Sequence, residues 1–200
     1  MAQYNPESHH RRSIRLKEYD YAQAGMYFVT VCAQNRECLF GEVIDEEMRL
    51  NGVGQIVEAQ WQKTASLRPQ IKLDAYVVMP NHFHGIIFIL NNRRGVLQYA
   101  PTRDRQSFRS PSQTVGAIIR GFKSAAAKEI NLSRGTPGLP VWQRNYHEHI
   151  IRDENELNRI REYIVLNPAR WKDDEENPIN QRAAKRPPVQ TTTTIRSIRS

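Results

Sequence analysis

The sequence predicts an α+β domain in which helices cover one face of a single antiparallel sheet. Runs rich in β-branched and aromatic residues alternate with stretches whose apolar residues recur every three to four positions. Their order is β-α-β-β-α-β with an additional C-terminal helix, which is the ferredoxin-like (RRM-like) split βαβ plan. The 200 residues, of which 39% are hydrophobic, are enough to bury the core of one such domain.

The first half of the chain supplies three predicted strands and one helix. Met26–Cys32 is aromatic and β-branched and predicts the first strand, and 39–44 predicts a hairpin return or a decorated loop. Helical spacing of apolar residues follows Asn51, a potential helix cap. Ile71–Met79 and His82–Leu90 then predict two strands, and the short Pro-Asn connection between them indicates an antiparallel hairpin.

The second half supplies two helices and the last strand. Thr114 is placed to cap a helix with a continuous apolar stripe, and Val141–Ile151 predicts the fourth strand. Asp153 and Glu156 have the spacing of a capping box, so a final helix is expected to begin there. Pro168 is expected to end that helix, because proline cannot continue it.

Three segments are expected to lie outside the packed core. Residues 1–20 predict a basic N-terminal arm, and 91–114 predicts a basic, turn-rich loop within a domain that spans 21–172. Residues 173–200 change from acidic to Arg-, Pro- and Thr-rich and predict a disordered tail.

The charge of the chain favours an acidic partner. It carries 29 Lys and Arg against 21 Asp and Glu, with a pI near 9.7, which favours nucleic acid first and a membrane surface second. Cys32 and Cys38 cannot form a disulfide scaffold, and the sequence shows neither a signal peptide nor a membrane span. We therefore expect a cytoplasmic protein, associated with the nucleoid and not with a membrane.

Two histidines, His82 and His84, occur in an apolar run that predicts a strand. Residues at i and i+2 of a strand point to the same face, so both imidazoles can bind one metal ion. The alternative is a pair of sheet-surface histidines with ordinary hydrogen bonds. His147 and His149 repeat the spacing, but the nearby sequence offers no third ligand.

Tyr163 lies at the edge of the apolar stripe of the last predicted helix, and Asn167 follows one turn later on the same face. A tyrosine hydroxyl can attack a phosphodiester, and a divalent metal ion can polarise the phosphoryl oxygens. The alternatives are a tyrosine that only packs and an asparagine that ends the helix, because a residue before proline tends to leave the α region. Tyr146 is a rival nucleophile on the predicted fourth strand.

Basic residues near these motifs are predicted to contact nucleic acid, and such phosphate contacts would make binding depend on salt. An ordinary solvated helix face is the alternative for the helical ones. The predicted residues are Arg120, Lys123, Arg144 and Arg152.

Three motifs together resemble a known family, the REP-associated tyrosine transposases of the HUH single-tyrosine superfamily. Met79–Gly85 resembles the HUH motif (histidine, hydrophobic, histidine), and Asn145–Arg152 and Tyr163–Pro168 resemble later motifs of that branch. The likeness runs from about Tyr21 to Trp171. It implies a metal-dependent, single-strand DNA endonuclease and strand transferase that acts on repetitive palindromic hairpins in a bacterial genome.

The resemblance also assigns roles. It implies that Tyr163 is the nucleophile that forms a 5′-phosphotyrosine, that His82 and His84 are metal ligands, and that Asn167 is the third ligand. It implies Mg²⁺ or Mn²⁺ as the cofactor, although two imidazoles suit zinc or manganese better than magnesium. It favours a monomer over a dimer.

Two other functions fit the same residues. One is a non-catalytic nucleic-acid-binding module on an RRM-like sheet, which would use the basic surface but lacks an evident pair of stacking aromatics on its middle strands. The other is a metal-dependent phosphodiesterase that uses water, in which Tyr163 would be structural.

Overall fold

The computed structural model describes residues 24–90, 114–174 and 176–180. The predicted N-terminal arm at 1–20, nearly all of the 91–114 loop and the predicted tail from 181 lie outside the described residues. In the described part of the chain, no helix is both long and apolar enough to cross a membrane.

The core of the fold is one four-stranded antiparallel sheet, which confirms the predicted fold class. Its strand order is β4-β5-β1-β6, the order of the split βαβ plan, and β2 and β3 form a separate hairpin. The strands and helices are β1 (Gly25–Cys32), β2 (Gly41–Ile44), β3 (Glu47–Leu50), α1 (Gly52–Ser66), β4 (Ile71–Val78), β5 (His82–Ile89), α2 (Val115–Arg134), β6 (His147–Ile151) and α3 (Glu154–Leu166).

One face of the sheet packs against α1 and α2. Tyr27, Val29 and Val31 of β1 point to this face and are fully buried, since side chains alternate along a strand. They share one cluster with Trp61 of α1 and Phe122 of α2, whose rings lie 5.2 Å apart. Each such side chain contributes roughly 1.5–3 kcal/mol through burial, so this cluster is the main core.

The opposite face is covered over part of its area by α3. Leu157 and Ile164 of α3 pack on Met26, Ile86 and Phe88 in a second apolar cluster. The ends of β1 and β6 near Thr30 and His147, which are paired in the sheet, instead line a cavity. The last helix therefore leaves one end of this face for polar side chains.

The predicted caps are confirmed at the start of each long helix. The side chain of Asn51 accepts hydrogen bonds from Val53 N and Gly54 N, and Thr114 accepts one from Ala117 N. Asp153 accepts a hydrogen bond from Glu156 N at 2.8 Å. These bonds satisfy amide groups that have no partner within the helix.

The alternative in which Asn167 leaves the α region before Pro168 is not what the structure shows. Its φ of −59° and ψ of −42° are helical, although α3 itself ends at Leu166. Asn167 therefore keeps the helical direction and remains one turn beyond Tyr163 on the same side of the helix.

The fourth strand is shorter than predicted. Only His147–Ile151 pairs with β1, and the preceding residues are irregular apart from a single bridge between Ala33 and Trp142. The physical reason is Lys123, whose ammonium group binds three successive backbone carbonyls at 143–145 and draws the chain away from a strand.

The prediction of a disordered tail from 173 is wrong for its first residues. Asn177 is buried, and its Nδ2 donates to the carbonyl oxygen of Trp171 at 2.8 Å. Glu176 pairs with Arg36 at 2.6 Å. Hydrogen bonds and an ion pair thus join the turn at 176–180 to Trp171, Arg36 and Asn81, contacts that composition alone does not show.

Gly85, in the middle of β5, faces the core where no larger residue fits. A Cβ there would lie 2.6 Å from Cζ2 of Trp61 and 2.9 Å from the ring of Phe83. We expect Gly85→Ala to lower the free energy of unfolding by about 1–3 kcal/mol, because the rings must shift. Urea denaturation measures the loss. Gly52→Ala is the matched control, since nothing lies within 4 Å of its Cβ, and equal midpoints for the two variants would contradict this packing.

Candidate active site

His82 and His84 lie on the same face of β5, as strand alternation predicts. Both are buried, with 0% and 4% exposure, and their ring centroids are 4.5 Å apart. They face the side of the sheet that carries α3. The pair therefore does not lie on an exposed sheet surface.

Each nitrogen of His82 has a different environment. Its Nδ1 faces Oδ1 of Asn81 at 2.9 Å, and its Nε2 is buried with no hydrogen-bond partner in the described residues. Burial lowers the pKa of His82 to about 4, partly offset by the nearby amide of Asn167. His82 is therefore neutral near pH 7, and the side chain of Asn167 is its neighbour in the site.

His84 contacts two hydroxyl groups. Its Nδ1 lies 2.8 Å from Oγ1 of Thr30, and its Nε2 lies 3.3 Å from the hydroxyl of Tyr163. The ring of Phe28 stacks on it at 5.2 Å. Burial, with smaller contributions from His82 and from His147, holds the pKa of His84 well below its ordinary value, so this imidazole is also neutral.

Tyr163 reaches the histidines from the last turns of α3. Its ring meets Phe28 edge-on at 6.1 Å, and 38% of the residue is exposed. Burial raises the pKa of its hydroxyl, and Asp174 raises it further, while Asn167 acts in the opposite direction. The phenol is therefore protonated near neutral pH and remains accessible from solvent.

A cavity of about 820 Å³ opens beside these residues. That volume lies within the range of small-molecule sites. His82 is completely buried and does not line it. The walls carry cations and carboxylates as well as amides: they comprise Thr30, Cys32, Arg36, His84, Gln143, Asn145, Tyr146, His147, Tyr163, Asn167, Arg170, Asp173, Asp174 and Glu176.

The residues present fit a divalent metal ion. Nε2 of His82 and Oδ1 of Asn167 are both buried and both lack a hydrogen-bond partner in the described residues, an arrangement that is costly without a ligand. His84 can add a second imidazole nitrogen. The described part of the chain has no group of three or more His, Cys, Asp or Glu placed to hold a metal, so the third ligand here would have to be the amide oxygen of Asn167. Two imidazoles and one amide oxygen suit an ion of intermediate softness, such as Mn²⁺.

None of the four predicted nucleic-acid residues lines the cavity. Arg120, Arg144 and Arg152 are exposed. The Nζ atom of Lys123 donates to the carbonyl oxygens of residues 143, 144 and 145 at 2.5, 3.3 and 3.1 Å. Lys123 thus holds the loop that forms one wall of the cavity.

The two histidines of the second pair, His147 and His149, have different surroundings. Nε2 of His149 lies 2.7 Å from a carboxylate oxygen of Glu156, which joins β6 to the start of α3. His147 lines the cavity. The rival tyrosine, Tyr146, also lines it and donates its hydroxyl to Glu148 at 2.6 Å.

Two residues of the site have no counterpart among the sequence predictions. The sequence analysis places Asn81 in the connection before β5 and within the Met79–Gly85 motif, and Thr30 in the first strand, but gives neither residue a role of its own. Thr30 is the register partner of His84, a relation that follows from sheet pairing and not from local sequence. For Asn81 the only local signal was a polar residue directly before a buried strand.

Comparisons with known proteins place the chain among relatives. No protein-family model matches it. It is 44% identical over 176 residues to an uncharacterized protein of Haemophilus influenzae (strain ATCC 51907 / DSM 11121 / KW20 / Rd), covering 86% of this chain and 96% of that protein. Among solved structures it resembles a REP-associated tyrosine transposase bound to a REP hairpin, with 21% identity, a TM-score of 0.50, and 78% and 74% of the two chains covered. The chain therefore has the fold of that transposase and belongs to the same family as the Haemophilus influenzae protein.

Proposed function

We propose that this protein is a transposase-like enzyme that nicks and joins single-stranded DNA. It would act on hairpins of the repetitive palindromic kind through a 5′-phosphotyrosine intermediate, with Tyr163 as the nucleophile and Mg²⁺ or Mn²⁺ as the cofactor. The observation that carries the proposal is the position of the Tyr163 hydroxyl, 3.3 Å from Nε2 of His84 and beside two unpartnered buried atoms.

The site divides into a nucleophile and a set of candidate ligands. Nε2 of His82, Nε2 of His84 and Oδ1 of Asn167 would hold the metal, and His84 would then donate from Nδ1 to Thr30. A bound divalent ion supplies charge that polarises the phosphoryl oxygens. Tyr163 comes from α3, a different element from the histidines of β5, so the packing of this helix on the sheet sets the distance between the nucleophile and the ligands.

The proposed step exchanges one phosphodiester for another. The Tyr163 oxygen forms a bond to phosphorus, the bond from phosphorus to the 3′ oxygen breaks, and the upstream DNA leaves with a 3′-hydroxyl. The phenol proton is lost and the leaving oxygen gains one, so no proton is consumed overall. A 3′-hydroxyl can reverse the step, which accounts for joining as well as nicking.

Two observations, one on a structural neighbour and one on the cavity, support the choice of DNA substrate. The solved transposase that shares the fold is bound to a REP hairpin. The cavity here is larger than one metal ion requires and has Arg36 and Arg170 on its walls. We propose a single-stranded segment next to a hairpin as the substrate, a monomer as the active form and the cytoplasm as the location.

The test is a search for the covalent intermediate. We expect incubation with a single-stranded hairpin and Mn²⁺ to yield a protein–DNA adduct that survives a denaturing gel. A label at the 3′ end of the DNA should move with the protein, and a label at the 5′ end should remain on free DNA, because tyrosine keeps the 5′ phosphate. Cleavage without an adduct would favour a phosphodiesterase that uses water, and binding without cleavage would favour a non-catalytic module.

A further inference from the structure

Asn81, the residue before His82, is completely buried and uses its whole side-chain amide. Its Nδ2 donates to the carbonyl oxygens of Arg36 at 3.1 Å and Glu176 at 2.7 Å. Carbonyl oxygens only accept hydrogen bonds, so these two contacts determine which side of the amide carries the amino group. The amide oxygen must therefore be the atom that faces Nδ1 of His82 at 2.9 Å.

This orientation selects one tautomer of His82. An amide oxygen can only accept, so the ring proton must lie on Nδ1. The lone pair then lies on Nε2, the buried atom that has no hydrogen-bond partner in the described residues. His84 is different, because both of its contacts are hydroxyl groups, which suit either tautomer.

We propose that Asn81 is a positioning residue that holds His82 in the Nδ1–H tautomer and directs its Nε2 toward the candidate metal site. The metal part of this inference rests on the proposed function, whereas the tautomer does not. Partners of the second nitrogen of a ligating histidine fix its ring and its proton, and their loss costs about 10–100-fold in metal affinity.

The same amide joins three separate parts of the chain. Arg36 follows β1, His82 begins β5, and Glu176 lies beyond α3. An ion pair between Arg36 and Glu176 at 2.6 Å links two of these parts again. Asn81, which orients the ring of His82, is itself held by residues that lie 45 and 95 positions away in sequence.

The test compares Asn81→Leu with the wild type in the full-length protein. ¹⁵N NMR of the metal-free histidine rings reports the tautomer, and calorimetric titration with Mn²⁺ reports the affinity. We expect Nδ1–H in the wild type, loss of that preference in Asn81→Leu, and Mn²⁺ binding weaker by about 10–100-fold. Asn131→Leu is the matched control, because Asn131 is also buried and its Nδ2 donates to the carbonyl oxygen of Leu139 at 2.8 Å, remote from His82 in sequence and in contacts.

A second variant separates the effect on the tautomer from the loss of the two donated hydrogen bonds. Asn81→Asp keeps an oxygen toward Nδ1 but removes the two donors, so we expect the Nδ1–H tautomer to persist. Loss of that tautomer in Asn81→Asp, or its retention with full Mn²⁺ affinity in Asn81→Leu, would overturn the inference. A wild-type protein with the Nδ1–H tautomer that binds no Mn²⁺ would instead overturn the proposed metal site, and with it the metal part of this inference.

Discussion

Replacing Tyr163 with phenylalanine is expected to abolish the covalent protein–DNA product while hairpin binding remains close to that of the wild type. Loss of a nucleophile can cost about 10⁶-fold in rate, which would place the adduct below detection. The variant removes one oxygen, and the edge-on ring contact with Phe28 at 6.1 Å can remain. The lost hydrogen bond to His84 is partly exposed, so we expect a cost of only about 0.5–1.5 kcal/mol in stability.

Tyr146→Phe is the matched control for this prediction. Tyr146 lines the same cavity, and its hydroxyl donates to Glu148 at 2.6 Å, so the change also removes one hydrogen-bonded phenol oxygen from the site. We expect this variant to form the adduct at a rate near that of the wild type. An adduct that persists in Tyr163→Phe and disappears in Tyr146→Phe would transfer the proposed nucleophile to β6.

The parts of the site that follow from short sequence spacings could be predicted. His82 and His84 share a face because a strand alternates every residue, and Tyr163 and Asn167 share one because a helix turns in 3.6 residues. Apolar periodicity likewise predicted the order of strands and helices along the chain and the helix that carries the tyrosine. These relations depend on backbone geometry that each segment has by itself.

The parts that depend on pairing between distant segments could not be predicted. Asn81 donates hydrogen bonds to the backbone carbonyl oxygens of Arg36 and Glu176. Because every residue has a backbone carbonyl, the sequence does not indicate which residues are the partners. The same holds for Lys123, whose three carbonyl contacts replace the expected strand at 143–145. The turn at 176–180 was missed because its polar composition resembles that of a disordered tail.

His82→Ala is expected to remove most of the stabilisation that Mn²⁺ gives to the folded protein. An ion that binds only the native state, and is present at a concentration 100 times its dissociation constant, stabilises that state by about 2.7 kcal/mol. For a chain of this length, each kcal/mol of added stability raises Tm by about 2–4 °C, so the wild-type Tm should rise by about 5–10 °C. The variant lacks Nε2 of His82, one of the proposed ligand atoms, and its Tm should rise by only a small part of this amount. Thermal unfolding with and without Mn²⁺ measures both shifts.

His147→Ala is the control that shows whether the loss of Mn²⁺ stabilisation is specific to His82 or follows from removing any histidine near the cavity. His147 is the β6 partner of Thr30, just as His84 is its β5 partner, and it lines the same cavity. It is exposed, however, and it lies on the edge strand β6, which β1 separates from the β5 strand that carries the pair. We therefore expect the full Mn²⁺ shift in His147→Ala. A shift that survives in His82→Ala and is lost in His147→Ala would move the metal away from His82 and Asn167 and toward the β6 wall of the cavity.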